Sequence, residues 1–139
     1  RLLLLPVCFL VTPNLFEAAE LTGMEIDDAA GMMEAARRIA DMGPAAVLVK
    51  GGHLAAEARD ILYVDGAFHE YPSEHIDTPH THGTGCTFSA AITACLAREM
   101  ALPAAVAVAK RYITEAIRSA PGLGRGQGPV NHFAQTGLA

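Results

Sequence analysis

The chain has 139 residues, of which 51% are hydrophobic, and carries a formal net charge of −5. This length is ordinary for one domain and allows a sizeable core. The acidic balance, without any stripe of lysine and arginine, disfavours a nucleic-acid partner. An anionic ligand would therefore have to be bound locally, by backbone amides and a few cations.

The three cysteines, Cys8, Cys86 and Cys95, form no closely spaced pair, so a disulfide framework is not expected and a reducing, cytoplasmic setting is favoured. The apolar start, residues 1–11, resembles a signal peptide. However, no cleavage site follows it, Pro6 interrupts it, and it is too short to span a bilayer. We expect a cytoplasmic protein without a membrane partner.

The first half of the chain predicts two strands and two helices. Residues 6–14 are an apolar run that stops at a Thr-Pro-Asn turn, which indicates a buried strand. A short helix over residues 14–23 and a longer one over residues 27–43 follow. Residues 45–52 are a second apolar strand, which runs into a Lys-Gly-Gly turn.

The second half predicts a hairpin and two more helices. Asp65 and Gly66 lie between two alternating runs, which is a strong signal for a two-residue hairpin turn. Helical periodicity then covers residues 81–100 and residues 102–120, the latter with Pro103 in its first turn.

The alternation of strands and helices predicts an α/β layered fold with a mainly parallel sheet, formed as one domain by residues 1–139. In such sheets, ligands bind beyond the carboxyl ends of the strands. Here those ends carry residues 12–14 and residues 50–53.

A glycine turn leads into the first of the late helices, and a cysteine follows it: Gly83, Thr84, Gly85 and Cys86. Glycines allow a tight turn and a close backbone approach, and the helix start adds unpaired amides with a positive dipole end. Together they predict an anion hole suited to a phosphate. The alternative is an ordinary glycine-containing loop. The spacing does not match a Walker A loop.

Cys86 has two interpretations. The positive end of a helix favours the thiolate, which could take a proton from a substrate hydroxyl. The alternative is a small buried filler, the role we assign to Cys95 further along the same helix.

Lys50, Asn14 and Glu17 are further candidates. A cation after a buried strand and before two glycines suits a phosphate, although Lys50 could also be a solvated strand end. An amide and a carboxylate three residues apart could hold a hydrated Mg²⁺ through its waters. The same spacing also predicts a capping box, with Asn14 as N-cap and Glu17 at the third helical position.

A zinc site is disfavoured. Its candidate ligands, His75, His80, His82 and Cys86, fit no standard zinc spacing, and no second cysteine lies close to them.

Four segments together resemble the carboxyl-terminal half of hydroxymethylpyrimidine/phosphomethylpyrimidine kinase, a member of the ribokinase-like superfamily. They are "TPNLFEAAELTG", "VLVKGGH", "DTPHTHGTGCTFSAAI" and "GRGQGPVNHF". The resemblance implies part of a three-layer ribokinase-like fold. Cys86 is discriminating, because most ribokinase-like kinases carry an aspartate at that position.

The resemblance also implies site residues and chemistry. It assigns Gly83, Thr84 and Gly85 to the anion hole, and Cys86 to the catalytic base. It assigns the ATP phosphates to Lys50, and Mg²⁺ and phosphate to Asn14 and Glu17, which favours that role over capping alone. The implied site consists of Asn14, Glu17, Lys50, Gly83, Thr84, Gly85 and Cys86. The implied substrates are ATP and an aminopyrimidine, which is phosphorylated twice in thiamin biosynthesis.

Family members are about twice this long, and the chain begins with Arg1 rather than Met. We therefore expect a piece with an incomplete substrate site, whose apolar edge strand is compatible with homodimerisation. The alternatives are a pyridoxal-type kinase and a non-catalytic nucleotide-binding or regulatory module.

Overall fold

The computed structural model describes residues 3–52, 59–72, 74 and 76–135. The chain divides into two compact units, residues 1–75 and residues 76–139. The first unit contains a 3-10 turn and the elements β1 (Leu10–Val11), α1 (Leu15–Thr22), α2 (Ala29–Ala40), β2 (Ala46–Lys50), β3 (Arg59–Val64) and β4 (Ala67–Pro72). The second unit contains α3 (Thr84–Leu96) and α4 (Leu102–Arg118).

The first strand is shorter than predicted. Only Leu10–Val11 pairs as β1, whereas Leu5–Val7 forms a 3-10 turn that contains Pro6. Proline has no N–H to donate to a strand ladder and has a restricted φ, so the apolar run before β1 leaves the extended conformation.

Local capping signals mark both ends of α1 and the start of α2. Asn14 caps the start of α1. At the end of α1, Gly23 adopts the left-handed conformation, with φ of 71°. Asp28 caps α2, its carboxylate accepting the Gly31 N–H at 2.7 Å. These local contacts explain why the predicted positions of α1 and α2 are confirmed.

The prediction of a mainly parallel sheet is wrong for the described strands. The order is β1-β2-β3-β4, and only β1 and β2 are parallel. The pairs β2–β3 and β3–β4 are antiparallel. The two-residue turn at Asp65 and Gly66, with φ of 50° and 76°, can join only antiparallel neighbours. Parallel pairing needs a crossover, which α1 and α2 provide between β1 and β2.

The core of the first unit lies between the sheet and its two helices. Helix α2 packs on β2 and β3, and α1 packs on α2 and β2. The buried cluster consists of Leu15, Ala18, Met32, Ala35, Ala36, Ile39, Val47, Val49 and Ile61. This packing confirms the α/β class.

In the second unit, α3 and α4 pack against each other. The segment after α4 returns to the start of α3, where His82 and Pro129 form a parallel bridge. Asn131 fixes this return by donating its N–H to the carbonyl oxygen of Ala116 at 2.9 Å. In the described part of the chain, no helix is long and apolar enough to cross a membrane.

Partial burial raises the pKa of the Tyr71 phenol on β4 above its ordinary value of 10.0. Folding therefore favours the neutral phenol. The resulting stabilisation is complete below the unfolded-state pKa and is lost as pH rises through the raised folded-state pKa. We expect Tyr71→Phe to show a shallower alkaline loss of the free energy of unfolding. Urea unfolding between about pH 8 and pH 11 measures this difference, and parallel losses in both proteins would contradict it.

Candidate active site

Asn14 and Lys50 lie side by side at the carboxyl ends of the two parallel strands. They form an isolated parallel bridge, and the Lys50 N–H donates to the Pro13 carbonyl oxygen at 2.8 Å. The pairing of β1 with β2 thus places two of the predicted site residues at one edge of the sheet. Ligands of α/β sheets typically bind at this edge, beyond the carboxyl ends of the strands.

Asn14 and Glu17 form a complete capping box. The Asn14 N–H donates to Glu17 Oε2 at 2.7 Å, and the Glu17 N–H donates to Asn14 Oδ1 at 2.9 Å. The capping alternative is therefore present in the structure, and it fixes both side chains at the start of α1.

The same two side chains fit a hydrated Mg²⁺. Glu17 is exposed, and its Oε1 makes no hydrogen bond within the described residues. Carboxylate and amide oxygens suit this hard cation. Mg²⁺ usually keeps several of its waters and takes substrate phosphates as further ligands. Among the described residues, no group of three or more His, Cys, Asp or Glu could hold a metal. A cation here would therefore depend on water and phosphate ligands.

The Lys50 side chain is partly exposed, and its ammonium has no ion pair or hydrogen bond anywhere in the described part of the chain. Gly51, which follows it, is buried, whereas Gly52 is exposed. The Lys50 ammonium is therefore available to an anion at the end of a fixed strand. His53, the last residue of the predicted strand-end segment, lies outside the described residues.

In the second unit, Gly83 turns the chain into α3. It has φ of 83°, which glycine adopts without strain, and it occupies the N-cap position. The Thr84 hydroxyl and N–H both bond to the Thr81 carbonyl oxygen, at 2.7 and 3.2 Å. The amide of Thr84 is thus used within the turn.

The amides of Gly85 and Cys86 have no acceptor within residues 76–135. They lie at the positive end of a helix of 13 residues, where two unpaired N–H groups favour an anion. Of the residues predicted for the anion hole, Gly85 and Cys86 therefore offer free backbone donors, and Gly83 provides the turn.

The Cys86 side chain is exposed, whereas Cys95 is partly buried. The alternative of Cys86 as a buried filler is therefore wrong. His80 Nδ1 accepts the Gly128 N–H at 3.2 Å, so this ring nitrogen is engaged in the fold. His75, named in the zinc alternative, lies outside the described residues.

Sequence reasoning found no structural role for the glycine-rich tail, although its motif is part of the family resemblance. The tail pairs with the segment that leads into the predicted anion hole, because the His82 N–H donates to the Gly128 carbonyl oxygen at 3.1 Å. A Cβ on Gly128 would lie 2.9 Å from the Leu123 carbonyl oxygen and closer still to the His80 ring. This close approach explains the glycine at position 128.

A family model described as phosphomethylpyrimidine kinase matches residues 1–131. The chain belongs to the phosphomethylpyrimidine kinase family. The resemblance drawn from the four sequence segments is therefore confirmed.

Two relatives and one solved structure show how much of the kinase this chain spans. It is 55% identical over 131 residues to the thiamine biosynthesis bifunctional protein ThiED of Geobacter sulfurreducens, covering 94% of this chain and 27% of that protein. It is 48% identical over 134 residues to the hydroxymethylpyrimidine/phosphomethylpyrimidine kinase of Staphylococcus aureus (strain MRSA252), covering 94% and 49%. The chain thus spans about half the length of that kinase.

The solved structure is the ADP complex of Bacillus subtilis pyridoxal kinase. Its TM-score to this phosphomethylpyrimidine kinase family member is 0.89, with 44% sequence identity, covering 94% of this chain and 52% of that one. The match supports a ribokinase-like fold over about half of a kinase chain.

Proposed function

We propose that this chain is the ATP- and phosphoryl-binding part of a hydroxymethylpyrimidine/phosphomethylpyrimidine kinase. The reaction moves the γ-phosphoryl group of ATP to 4-amino-5-hydroxymethyl-2-methylpyrimidine and then to its monophosphate, in thiamin biosynthesis. The observation that carries the proposal is the pair of free amides at Gly85 and Cys86, presented by the Gly83 turn in a chain of this family.

The proposed roles follow from the nature of phosphoryl transfer. Its transition state is loose, so positioning and charge stabilisation contribute more than covalent chemistry. The free amides of Gly85 and Cys86 hold the oxygens of the transferring group, and Lys50 binds the ATP phosphates. This proposal treats residues 1–139 as one partial ribokinase-like domain of three layers.

Mg²⁺ completes the proposal. Asn14 and Glu17 would hold it through water, and a bound Mg²⁺ would neutralise charge on the phosphates. The capping box keeps both side chains at the start of α1, so the cap and the cation role are compatible. A cytoplasmic setting remains a prediction from cysteine usage.

Replacing Cys86 with alanine in a complete enzyme that includes this chain is expected to lower kcat by about 10- to 100-fold, leaving measurable activity. A general base typically contributes about 10²- to 10⁴-fold, and less when the attacking oxygen is barely deprotonated in a loose transition state. Cys95→Ala, the same change further along α3, is the control and should retain the wild-type rate. An unchanged kcat in the Cys86→Ala enzyme would show that Cys86 is not the general base.

A phosphorylation assay with ATP tests the proposed substrate. The aminopyrimidine, its monophosphate and pyridoxal are compared as acceptors, in the chain alone and in a complete enzyme that includes it. We expect the aminopyrimidine to be preferred in the complete enzyme and turnover by the chain alone to be poor. A preference for pyridoxal would instead support the second candidate, a pyridoxal-type kinase, which the structural match to the Bacillus subtilis enzyme favours. Nucleotide binding without turnover in either form would support a non-catalytic module.

A further inference from the structure

One charged side chain is buried among the described residues: Asp60 on β3, which is 2% exposed. Burial of a carboxylate is costly unless hydrogen bonds or opposite charges compensate it. Its Oδ1 accepts the Gly51 N–H at 3.0 Å. The proposed function assigns no role to Asp60, although the amide that it binds follows Lys50 directly.

The strand register brings Asp60 close to Lys50. The two residues are directly opposite each other in the antiparallel pair β2–β3. Directly opposite residues share a face of the sheet, with Cβ atoms about 4.5–5.5 Å apart. Asp60 therefore lies beside the end of β2, and its carboxyl group is on the same face of the sheet as the Lys50 side chain.

The two peptide groups on either side of the Lys50 Cα are each held by a hydrogen bond. On the side of β1, the Lys50 N–H donates to the Pro13 carbonyl oxygen at 2.8 Å. On the side of β3, Asp60 accepts the next N–H along the chain. Gly51 also has little space to move, because a Cβ at this position would lie 2.8 Å from Met32 Cε. Asp60 thus completes a fixed backbone from which the Lys50 side chain extends.

We propose that Asp60 is a positioning residue that orients Lys50 for binding the nucleotide phosphates. It acts by fixing the Gly51 amide and by attracting the ammonium across the ladder, and it does not itself touch the nucleotide. This inference rests on the proposed function of Lys50 as the ATP-binding cation. It adds a buried carboxylate on β3 to the residues on which that function depends.

A double-mutant cycle tests this proposal, with ATP and Mg²⁺ binding to the full chain measured by calorimetry. Asp60→Asn is expected to weaken binding about 5- to 10-fold in the wild-type background and less than about twofold in the Lys50→Met background. Asp65→Asn, the same change at an exposed position of the hairpin, is the control and should bind like the wild type. Equal losses in both backgrounds, or no loss in either, would overturn the proposal.

A second measurement does not depend on nucleotide binding. Lys50 and Lys110 are the two lysines of the chain, so NMR relaxation can compare the order of their side chains directly. In Asp60→Asn, we expect the order of Lys50 to fall and that of Lys110 to stay unchanged. If Asp60→Asn does not fold, Asp60→Ser, a smaller residue that keeps an oxygen acceptor, replaces it.

The two measurements separate the two proposals. A wild-type chain that binds no ATP would contradict the proposed function, and the positioning role of Asp60 would then be decided by the order of the Lys50 side chain. If the side chain of Lys50 is as ordered in the folded Asp60→Asn protein as in the wild type, the positioning role of Asp60 is overturned.

Discussion

Replacing Lys50 with methionine is expected to weaken ATP binding by this chain about 30-fold. The change removes a charge-assisted contact to phosphate worth about 2 kcal/mol, and every 1.4 kcal/mol or so corresponds to a tenfold change in affinity. Methionine keeps a long unbranched stem, so packing along the side chain is largely retained. The measurement is calorimetric titration with ATP in the presence of Mg²⁺.

Lys110→Met is the matched control, because it changes the net charge equally on α4, where the Lys110 ammonium lies 5.7 Å from the Phe88 ring centroid. We expect its ATP affinity to remain within about twofold of the wild type. Equal losses in the two variants would show that net charge, rather than the position of Lys50, governs binding, and would contradict the proposed role.

Replacing Gly51 with alanine is expected to lower the free energy of unfolding by about 3 kcal/mol, at the upper end of typical overpacking costs. The new Cβ would lie 2.8 Å from Met32 Cε and closer still to the Arg59 carbonyl oxygen. Met32 is flexible, but the carbonyl belongs to the paired strand β3, so relief requires a backbone shift. Urea unfolding monitored by circular dichroism measures the change.

Gly52→Ala is the control for this substitution. A Cβ on Gly52 meets no atom of the described residues within 4 Å, and the φ of Gly52 lies outside the left-handed region. We expect a change in the free energy of unfolding within about 0.5 kcal/mol. A Gly51→Ala protein as stable as the Gly52→Ala protein would show that the end of β2 is less tightly packed than the structure indicates.

Elements with local signals could be predicted from the sequence. The Asp65-Gly66 turn, the Asn14 cap and Gly23 each act through neighbouring residues. The structure confirms the elements that they delimit. Strand direction is not local in this way. It depends on which strands become neighbours, so the alternation of strands and helices led to the wrong expectation of a mainly parallel sheet.

The candidate site shows the same division. The glycine turn and helix start predicted Gly83 to Cys86 as a unit, but only the structure separates the amide used within the turn from those left free. For Asn14 and Glu17, capping and cation binding need the same residues at the same spacing, so the sequence could not separate them. Asp60 was missed because a polar residue at the start of a strand gives no sign that its side chain is buried.

The most direct test of the central claim is a calorimetric titration of the chain with ATP and Mg²⁺, with and without the aminopyrimidine. If this chain carries the ATP- and phosphoryl-binding part of the kinase, ATP binds without the pyrimidine, and the affinity changes little when the pyrimidine is added. Lys50→Met lowers that affinity. A folded wild-type chain that binds no ATP under either condition would contradict the claim.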